Sequence, residues 1–257
     1  MPKFAANLSF LFTEMPFAER FARAAAAGFK GVEMLFPYDW PADEVAGWLR
    51  AAGLEAVLFN LPPGDWAAGE RGLACLPGRQ EAFAESVERA LTYARRLGCR
   101  RLHGLAGIRP AGIAETELEA TYIANLRHAA DRLASIGATL TIEPINSRID
   151  MPGYWLDDIG RARRLLDAIG RDNVGLQLDL YHAQILQGDL ARTIQSHLER
   201  IVHIQIADNP GRHEPGSGEI HYPYLFELLD RLGYAGWVGC EYRPLTTTAA
   251  GLGWLPR

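Results

Sequence analysis

Four polar residues stand in segments that otherwise read as apolar strands: Glu143 in TLTIEP, Asp179 in VGLQLDL, Gln205 in IVHIQIAD and Glu241 in WVGCEY. Alternate strand residues face opposite sides, so each can be sorted by the company it keeps. Leu140 and Ile142 share one side of their segment, leaving Thr139, Thr141 and Glu143 on the other. Val174, Leu176, Leu178 and Leu180 oppose Gly175, Gln177 and Asp179; Val202, Ile204 and Ile206 oppose His203, Gln205 and Ala207; Val238 and Cys240 oppose Gly239 and Glu241. If the aliphatic side packs against helices, the four polar residues face one shared interior. Burying three carboxylates together is costly, because desolvation and like charge both oppose ionisation. A divalent cation would relieve that cost. Oxygen donors favour magnesium or manganese without excluding zinc or cobalt, and four of them leave about two octahedral positions for a keto oxygen and a neighbouring hydroxyl, a geometry suited to enediol chemistry. Any one of the four alone would be an ordinary salt-bridge or hydrogen-bond partner; four in phase on successive segments point to a site.

The elements that would position them alternate along the chain. Strands are predicted near Phe4 to Phe10, Gly31 to Phe36, Leu54 to Asn60, Arg101 to Leu105, Thr139 to Pro144, Val174 to Leu180, Ile201 to Ala207 and Trp237 to Tyr242. Helical patterns lie between them: Pro16 to Ala27, Pro41 to Ala52, Gln80 to Leu97, Glu115 to Ile136, Leu156 to Ile169, Leu190 to Leu198 and Tyr222 to Leu232, several followed by a capping glycine. Eight β/α units in 257 residues match one (β/α)8 TIM barrel, typically about 250 residues, better than an open doubly wound sheet. No GxGxxG follows the first strand and no low-complexity linker interrupts the chain, so residues 1–257 read as one catalytic domain. The Pro/Gly-rich segment Leu61 to Arg79 and the segment Asp208 to Ile220 follow strands, where barrel enzymes place active-face loops.

A net charge of -5 argues against a nucleic-acid partner, which requires a basic face. Cys75, Cys99 and Cys240 show no ligand spacing and read as buried thiols of a reducing compartment. MPKFAANLSF lacks a signal-peptide pattern, and no apolar run reaches the roughly 18 residues of a membrane span, so the cytoplasm is the expected compartment and no membrane partner is expected. A homo-oligomer is left open.

Long, co-ordered stretches of the chain resemble the hydroxypyruvate isomerase family, a branch of the xylose-isomerase-like barrels that also holds 2-oxo-tetronate isomerases. They are FAANLSFLF (4–12), GFKGVEMLFPYDW (28–40), NLPPGDWAAGERGLACLPGR (60–79), IEPIN (142–146), LDLYH (178–182), IQIADNPGRHEPGSGEI (204–220) and GWVGCEYRP (236–244). The resemblance implies a metal-dependent isomerase of small 2-keto acids, with one divalent metal, magnesium or manganese, held by Glu143, Asp179, Gln205 and Glu241. Glu143 and Glu241 would be the paired acid/base residues. Ketose epimerases of this superfamily usually carry histidine at the position of Gln205, which fits the keto-acid branch.

The expected reaction interconverts hydroxypyruvate and 2-hydroxy-3-oxopropanoate (tartronate semialdehyde) through an enediolate, with 2-dehydrotetronate to 3-dehydrotetronate as the alternative. The substrate carboxylate needs a cation. Arg71, Arg148, Arg212 and Arg243 are candidates, with Arg71 and Arg212 ranked first for their loops. His182, read as a loop residue just past a strand, would hydrogen-bond substrate or a metal-bound oxygen, and Asn7 and Asn60 would line the pocket. His103 and His203 are weaker candidates, His203 as a support of Gln205 or Thr141. Trp66, Phe36 and Tyr38 would wall the substrate or merely pack the barrel mouth. The rival classes are a ketose 3-epimerase, a metal-dependent endonuclease on the same barrel and a non-catalytic sugar-acid-binding barrel, since fold alone does not set function.

Overall fold

A computed structural model describes residues 2–255. Eight parallel strands close into a barrel in sequence order: β1 Lys3–Asn7, β2 Gly31–Met34, β3 Glu55–Asn60, β4 Arg101–His103, β5 Thr139–Ile142, β6 Val174–Asp179, β7 Ile201–Ile206 and β8 Trp237–Cys240. Each strand was legible in the sequence, and most end one to three residues earlier than the apolar pattern suggests. The difference matters at two positions. Glu143 and Glu241 lie just past β5 and β8, where the chain leaves the sheet and the side chains reach the barrel mouth.

Surrounding the barrel are α1 Phe17–Ala26, α2 Ala42–Ala52, α3 Gln80–Leu97, α4 Glu115–Ala134, α5 Ile159–Ile169, α7 Leu190–His197 and α8 Tyr222–Arg231, close to the sequence expectation. One further helix, α6 Leu180–Leu186, stands where the apolar pattern predicts a strand end and a loop. Its signal was a cap: Asp179 accepts the Tyr181 N–H at 2.8 Å and so starts the helix. His182 therefore sits on the first turn of a helix, not in a loop, and has a fixed direction.

The aliphatic parity packs outward as expected. Leu140, Ile142, Leu176, Leu178, Ile204, Ile206, Val238 and Cys240 all join the main core shared with the helices. Ala5, Val57, Leu58 and Trp237 form a small separate cluster. Trp237 precedes Gly239 and Glu241 on one side of β8, so the interior passes from apolar floor to polar mouth. The three cysteines are free and buried, and burial pushes the Cys75 and Cys99 thiols up to about 12.

The loop after β7 is built around Asp208. Its carboxylate accepts four backbone N–H groups, from Asn209 and Ile220 on Oδ1 and from Gly216 and Gly218 on Oδ2, at 2.9–3.0 Å. A side chain at Gly218 would overlap the Asn209 carbonyl, which explains the small residue there. This folded strap carries Arg212, in a left-handed conformation (φ 57°), back over the barrel mouth.

Candidate active site

Strand parity brings the polar residues of six strands into one connected cluster. Gln177 is its first hub: its Nε2 donates to Glu143 Oε2 (3.0 Å) and to Gln205 Oε1 (2.6 Å), while its Oε1 accepts from Thr141 (2.7 Å). Gln205 continues the chain, its Nε2 donating to Glu241 Oε2 (2.7 Å) and Glu33 Oε1 (2.8 Å). Asn7 repeats that bridge with Nδ2, 3.0 Å from both Glu33 Oε1 and Glu241 Oε2. Glu33 is fully buried and also meets His203 Nε2 at 2.7 Å. One oxygen of each glutamate, Glu143 and Glu241, is thus pinned by a carboxamide.

The other oxygens differ. Glu143 Oε1 and Asp179 Oδ2 are buried without any hydrogen-bond partner, and His182 Nε2 lies 3.9 and 3.7 Å from them. Glu241 Oε1 accepts from Arg212 Nη2 at 2.6 Å. Arg212 also donates to Asp150 Oδ1 (2.9 Å), approaches Asp179 Oδ2 at 4.0 Å, and packs against the rings of Phe10 and Tyr181. Its guanidinium is the internal cation of the cluster.

Burial governs the ionisation of these groups. It pushes Glu143 well above the usual carboxylate range, with the nearby charges of Glu241 and Asp179 adding to the effect. Burial raises Glu241 to about 8 and Asp179 to about 6, although Arg212 pulls both down. The same desolvation lowers His182 well below its ordinary value and His103 to about 3, so both imidazoles are neutral near pH 7. Neutralising these acids by protonation is one way to tolerate them; a bound cation is the other.

Two unsatisfied carboxylate oxygens in one buried site fit a hard divalent ion. Among the described residues, Glu143, Asp179 and His182 each present a ligand atom within 4.8 Å of one another, so this group could hold a metal. Of the four residues expected as ligands, Glu143 and Asp179 have oxygens free for that purpose. Gln205 and Glu241 complete the same cluster: Oε1 of each accepts one hydrogen bond, from Gln177 and Arg212, and so keeps a second lone pair.

A cavity of about 660 Å³ opens onto Glu143, Glu241, Gln177, His182, Asn60 and Arg71. Arg71 lies 4.0 Å from the Trp66 ring and donates through Nη1 to the Trp66 and Glu70 carbonyls. Arg212 and Arg243 also reach the cavity wall. Arg148 does not: it donates to the Ile185 and Leu186 carbonyls, capping the end of α6, so it is not positioned to meet a substrate. Asn7 is likewise removed from the wall, because its carboxamide is tied beneath Glu241. Tyr38 is drawn inward to the Asn60 carbonyl (2.6 Å), and Phe36 packs on Trp66. His203 supports Glu33 directly rather than Gln205 or Thr141.

Sequence reasoning passed over Glu33, although Val32 and Met34 frame it by the same alternation that revealed the other acids. Gln177 was on the inward parity without being singled out. Asn146, Asp150 and Tyr181 had no such signal, because they lie on a loop and a short helix where no alternation applies.

Eight parallel strands around a buried acid cluster, with a cavity at their C-terminal ends, define a barrel enzyme. Residues 21–257 match the family model described as xylose isomerase-like TIM barrel. The chain is 52% identical over 255 residues to a 2-oxo-tetronate isomerase of Cupriavidus necator, covering 99% of this chain and 98% of that one. It is 49% identical over 255 residues to the hydroxypyruvate isomerase of Escherichia coli K12, with the same coverage. A solved structure from Brucella melitensis, described as AP endonuclease, family 2, superposes with a TM-score of 0.97 at 53% identity, covering 99% of this chain and 98% of that one. A 3-keto-D-glucoside 4-epimerase from Escherichia coli shares the fold, with a TM-score of 0.82 at 22% identity and 99% of each chain covered. The chain belongs to the xylose isomerase-like TIM barrel family, in the branch of hydroxypyruvate and 2-oxo-tetronate isomerases. It is an isomerase.

Proposed function

We propose that this isomerase interconverts hydroxypyruvate and 2-hydroxy-3-oxopropanoate by moving a proton between adjacent carbons through an enediolate. The observation that carries the reading is the pair Glu143 and Glu241: both are buried, both border one cavity, and each is pinned by a carboxamide through a single oxygen. A carbon acid beside a carbonyl needs a positioned base and stabilisation of the oxygen that gains charge. One glutamate takes the proton from C3 of the keto acid; the hydroxyl proton on the C3 oxygen passes to the C2 oxygen across the enediolate; and the other glutamate, or the same one after the proton is passed on, delivers a proton to C2.

Glu143, Asp179, Gln205 and Glu241 would hold one divalent ion, magnesium or manganese by the hardness of their oxygens, and such an ion polarises a keto oxygen when bound. The chain's own groups do the rest. Gln177 and Gln205 hold the carboxylates in register, and Arg212 offsets the negative charge at Glu241. The substrate carboxylate is met by Arg71, whose Nε and Nη2 are not used by its two carbonyl contacts, and by Arg212, which lines the same cavity and keeps an unpartnered Nε while its Nη atoms hold Asp150 and Glu241. His182 faces the cavity as a donor to a substrate oxygen, and Asn60 lines the wall.

A 2-oxo-tetronate is the second substrate reading, favoured by a cavity of about 660 Å³, ample for one more hydroxylated carbon. A nuclease reading, raised by the description of the Brucella melitensis structure, is disfavoured by the net charge of -5 and by a mouth rich in acids. The test follows conversion of hydroxypyruvate and a 2-oxo-tetronate, with and without chelator, in the wild type and in Glu143→Gln and Glu241→Gln. Near-normal turnover in both variants would sink the assignment.

A further inference from the structure

The carboxamide of Asn146 touches His182 in a way that decides which ring nitrogen carries the proton. Asn146 is fully buried, and its orientation is settled by groups that can act in one sense alone. Its Oδ1 accepts the backbone N–H of Ile149 at 2.9 Å and of Asp150 at 3.1 Å, and an amide nitrogen could not take that place. Nδ2 therefore faces the other way. One of its hydrogens goes to Asp150 Oδ2 (2.7 Å), an acceptor, and the second goes to His182 Nδ1, also at 2.7 Å. Asp150 is itself held by the Tyr181 hydroxyl at 3.0 Å and by Arg212, so the carboxamide has no freedom to turn over.

A nitrogen that accepts cannot also bear a proton. His182 Nδ1 is the lone-pair nitrogen, and the ring hydrogen belongs to Nε2. Both the Nδ1–H tautomer and the doubly protonated ring would set an N–H against the N–H of Asn146. We infer that Asn146 is a positioning residue that locks His182 as the Nε2–H tautomer, so that His182 acts as a hydrogen-bond donor in the cavity and not as a metal ligand. Its Nε2 points between Glu143 Oε1 and Asp179 Oδ2 at distances too long for hydrogen bonds, which leaves the N–H for an oxygen of the substrate. A neutral imidazole donor stabilises charge developing on a carbonyl oxygen without surrendering its own proton. The proximity of His182 to the two acids is thus that of a donor beside a metal site. The part of this inference that concerns substrate rests on the isomerase reading above; the tautomer does not.

The decisive experiment is a long-range proton–nitrogen correlation spectrum of the full chain labelled with ¹⁵N-histidine, recorded with and without magnesium. The His182 signals are identified by their loss in His182→Gln. The wild type should show the Nε2–H tautomer, unchanged when magnesium is added. An Nδ1–H ring, or loss of the Nε2 proton on adding magnesium, would overturn the inference. Asn146→Ala removes the constraint and should introduce the Nδ1–H form, with kcat falling roughly 10²-fold, as when one oxyanion donor is lost, and KM changing far less. An unaltered tautomer and kcat in that variant would also refute it. If the wild type converts neither keto acid, the isomerase reading fails, while the spectrum still decides the tautomer.

Discussion

Gly239 is the residue on which the geometry beneath Glu241 depends most sharply. It faces the barrel interior from β8, and a methyl group added there would overlap both carboxylate oxygens and the carboxyl carbon of Glu33. Its φ is not left-handed, so alanine is acceptable to the backbone and the perturbation is purely one of space. A flexible acid at the surface would simply move aside. Glu33 is fully buried and anchored by His203, Gln205 and Asn7, so any movement breaks at least one hydrogen bond to a charged group. Overpacking a core costs about 1–3 kcal/mol, and losing a charge-assisted hydrogen bond costs about 1.5–3 kcal/mol. Gly239→Ala should therefore destabilise by roughly 2.5–6 kcal/mol, measured by urea denaturation with fluorescence and circular dichroism followed together. Turnover should fall with it, because Asn7 and Gln205 carry the displacement to Glu241. In a Glu33→Ala background the overlap is gone, and the same substitution should cost under about 1 kcal/mol. Equal costs in the two backgrounds, within about 0.5 kcal/mol, would refute the packing of Gly239 on Glu33.

Replacing Glu143 by Gln should lower kcat by about 10²–10⁴ while thermal unfolding changes little, since volume is kept and its Oε1 has no hydrogen-bond partner; Glu241→Gln should lower kcat alike but also lower the unfolding temperature, because buried Arg212 loses its carboxylate partner. Arg71→Met should raise KM for a 2-keto acid roughly ten- to hundredfold with a smaller effect on kcat, as expected for a lost charged hydrogen bond; an unchanged KM would move the carboxylate site elsewhere. Chelation should abolish turnover, and magnesium at a hundred times its Kd should stabilise the fold by about 2.7 kcal/mol, an increment that Asp179→Asn should lose. At the chain's end, burial alone would raise Glu14, but hydrogen bonds from the Thr248 backbone and hydroxyl hold its carboxyl below the usual range. A depressed carboxyl contributes stability above its unfolded value that is lost as pH falls through the folded one. Hydrogen-exchange protection, taken relative to the intrinsic rate, should therefore fall in residues 245–255 below about pH 4.3, and Thr248→Val should flatten that response.

Alternation along single strands was enough to place Glu143, Asp179, Gln205 and Glu241 in one interior, because a strand's two faces are set by backbone geometry alone. The same rule extends to Glu33, which Val32 and Met34 frame on β2. The helix rhythm was legible for a similar reason: glycine caps after α2, α3 and α5 and the periodic apolar faces are local properties. The pattern failed at α6, where the seven residues LYHAQIL are too few to show a period and the starting signal is the carboxylate of Asp179.

What tertiary structure alone decided is the use each polar atom makes of its neighbours. Closure of the barrel sets β8 beside β1, and only then can Asn7 reach both Glu33 and Glu241. The strap pinned by Asp208 brings Arg212 to the cavity wall and makes it the partner of Glu241 and Asp150, a role no spacing in the sequence encodes. Asn146 and His182 meet across a loop and a helix, and the tautomer of the ring follows from that contact. Residue type and alternation determine which chemistry enters the interior; hydrogen bonding, which acts over about 3 Å between distant parts of the chain, determines which atoms remain free to perform it.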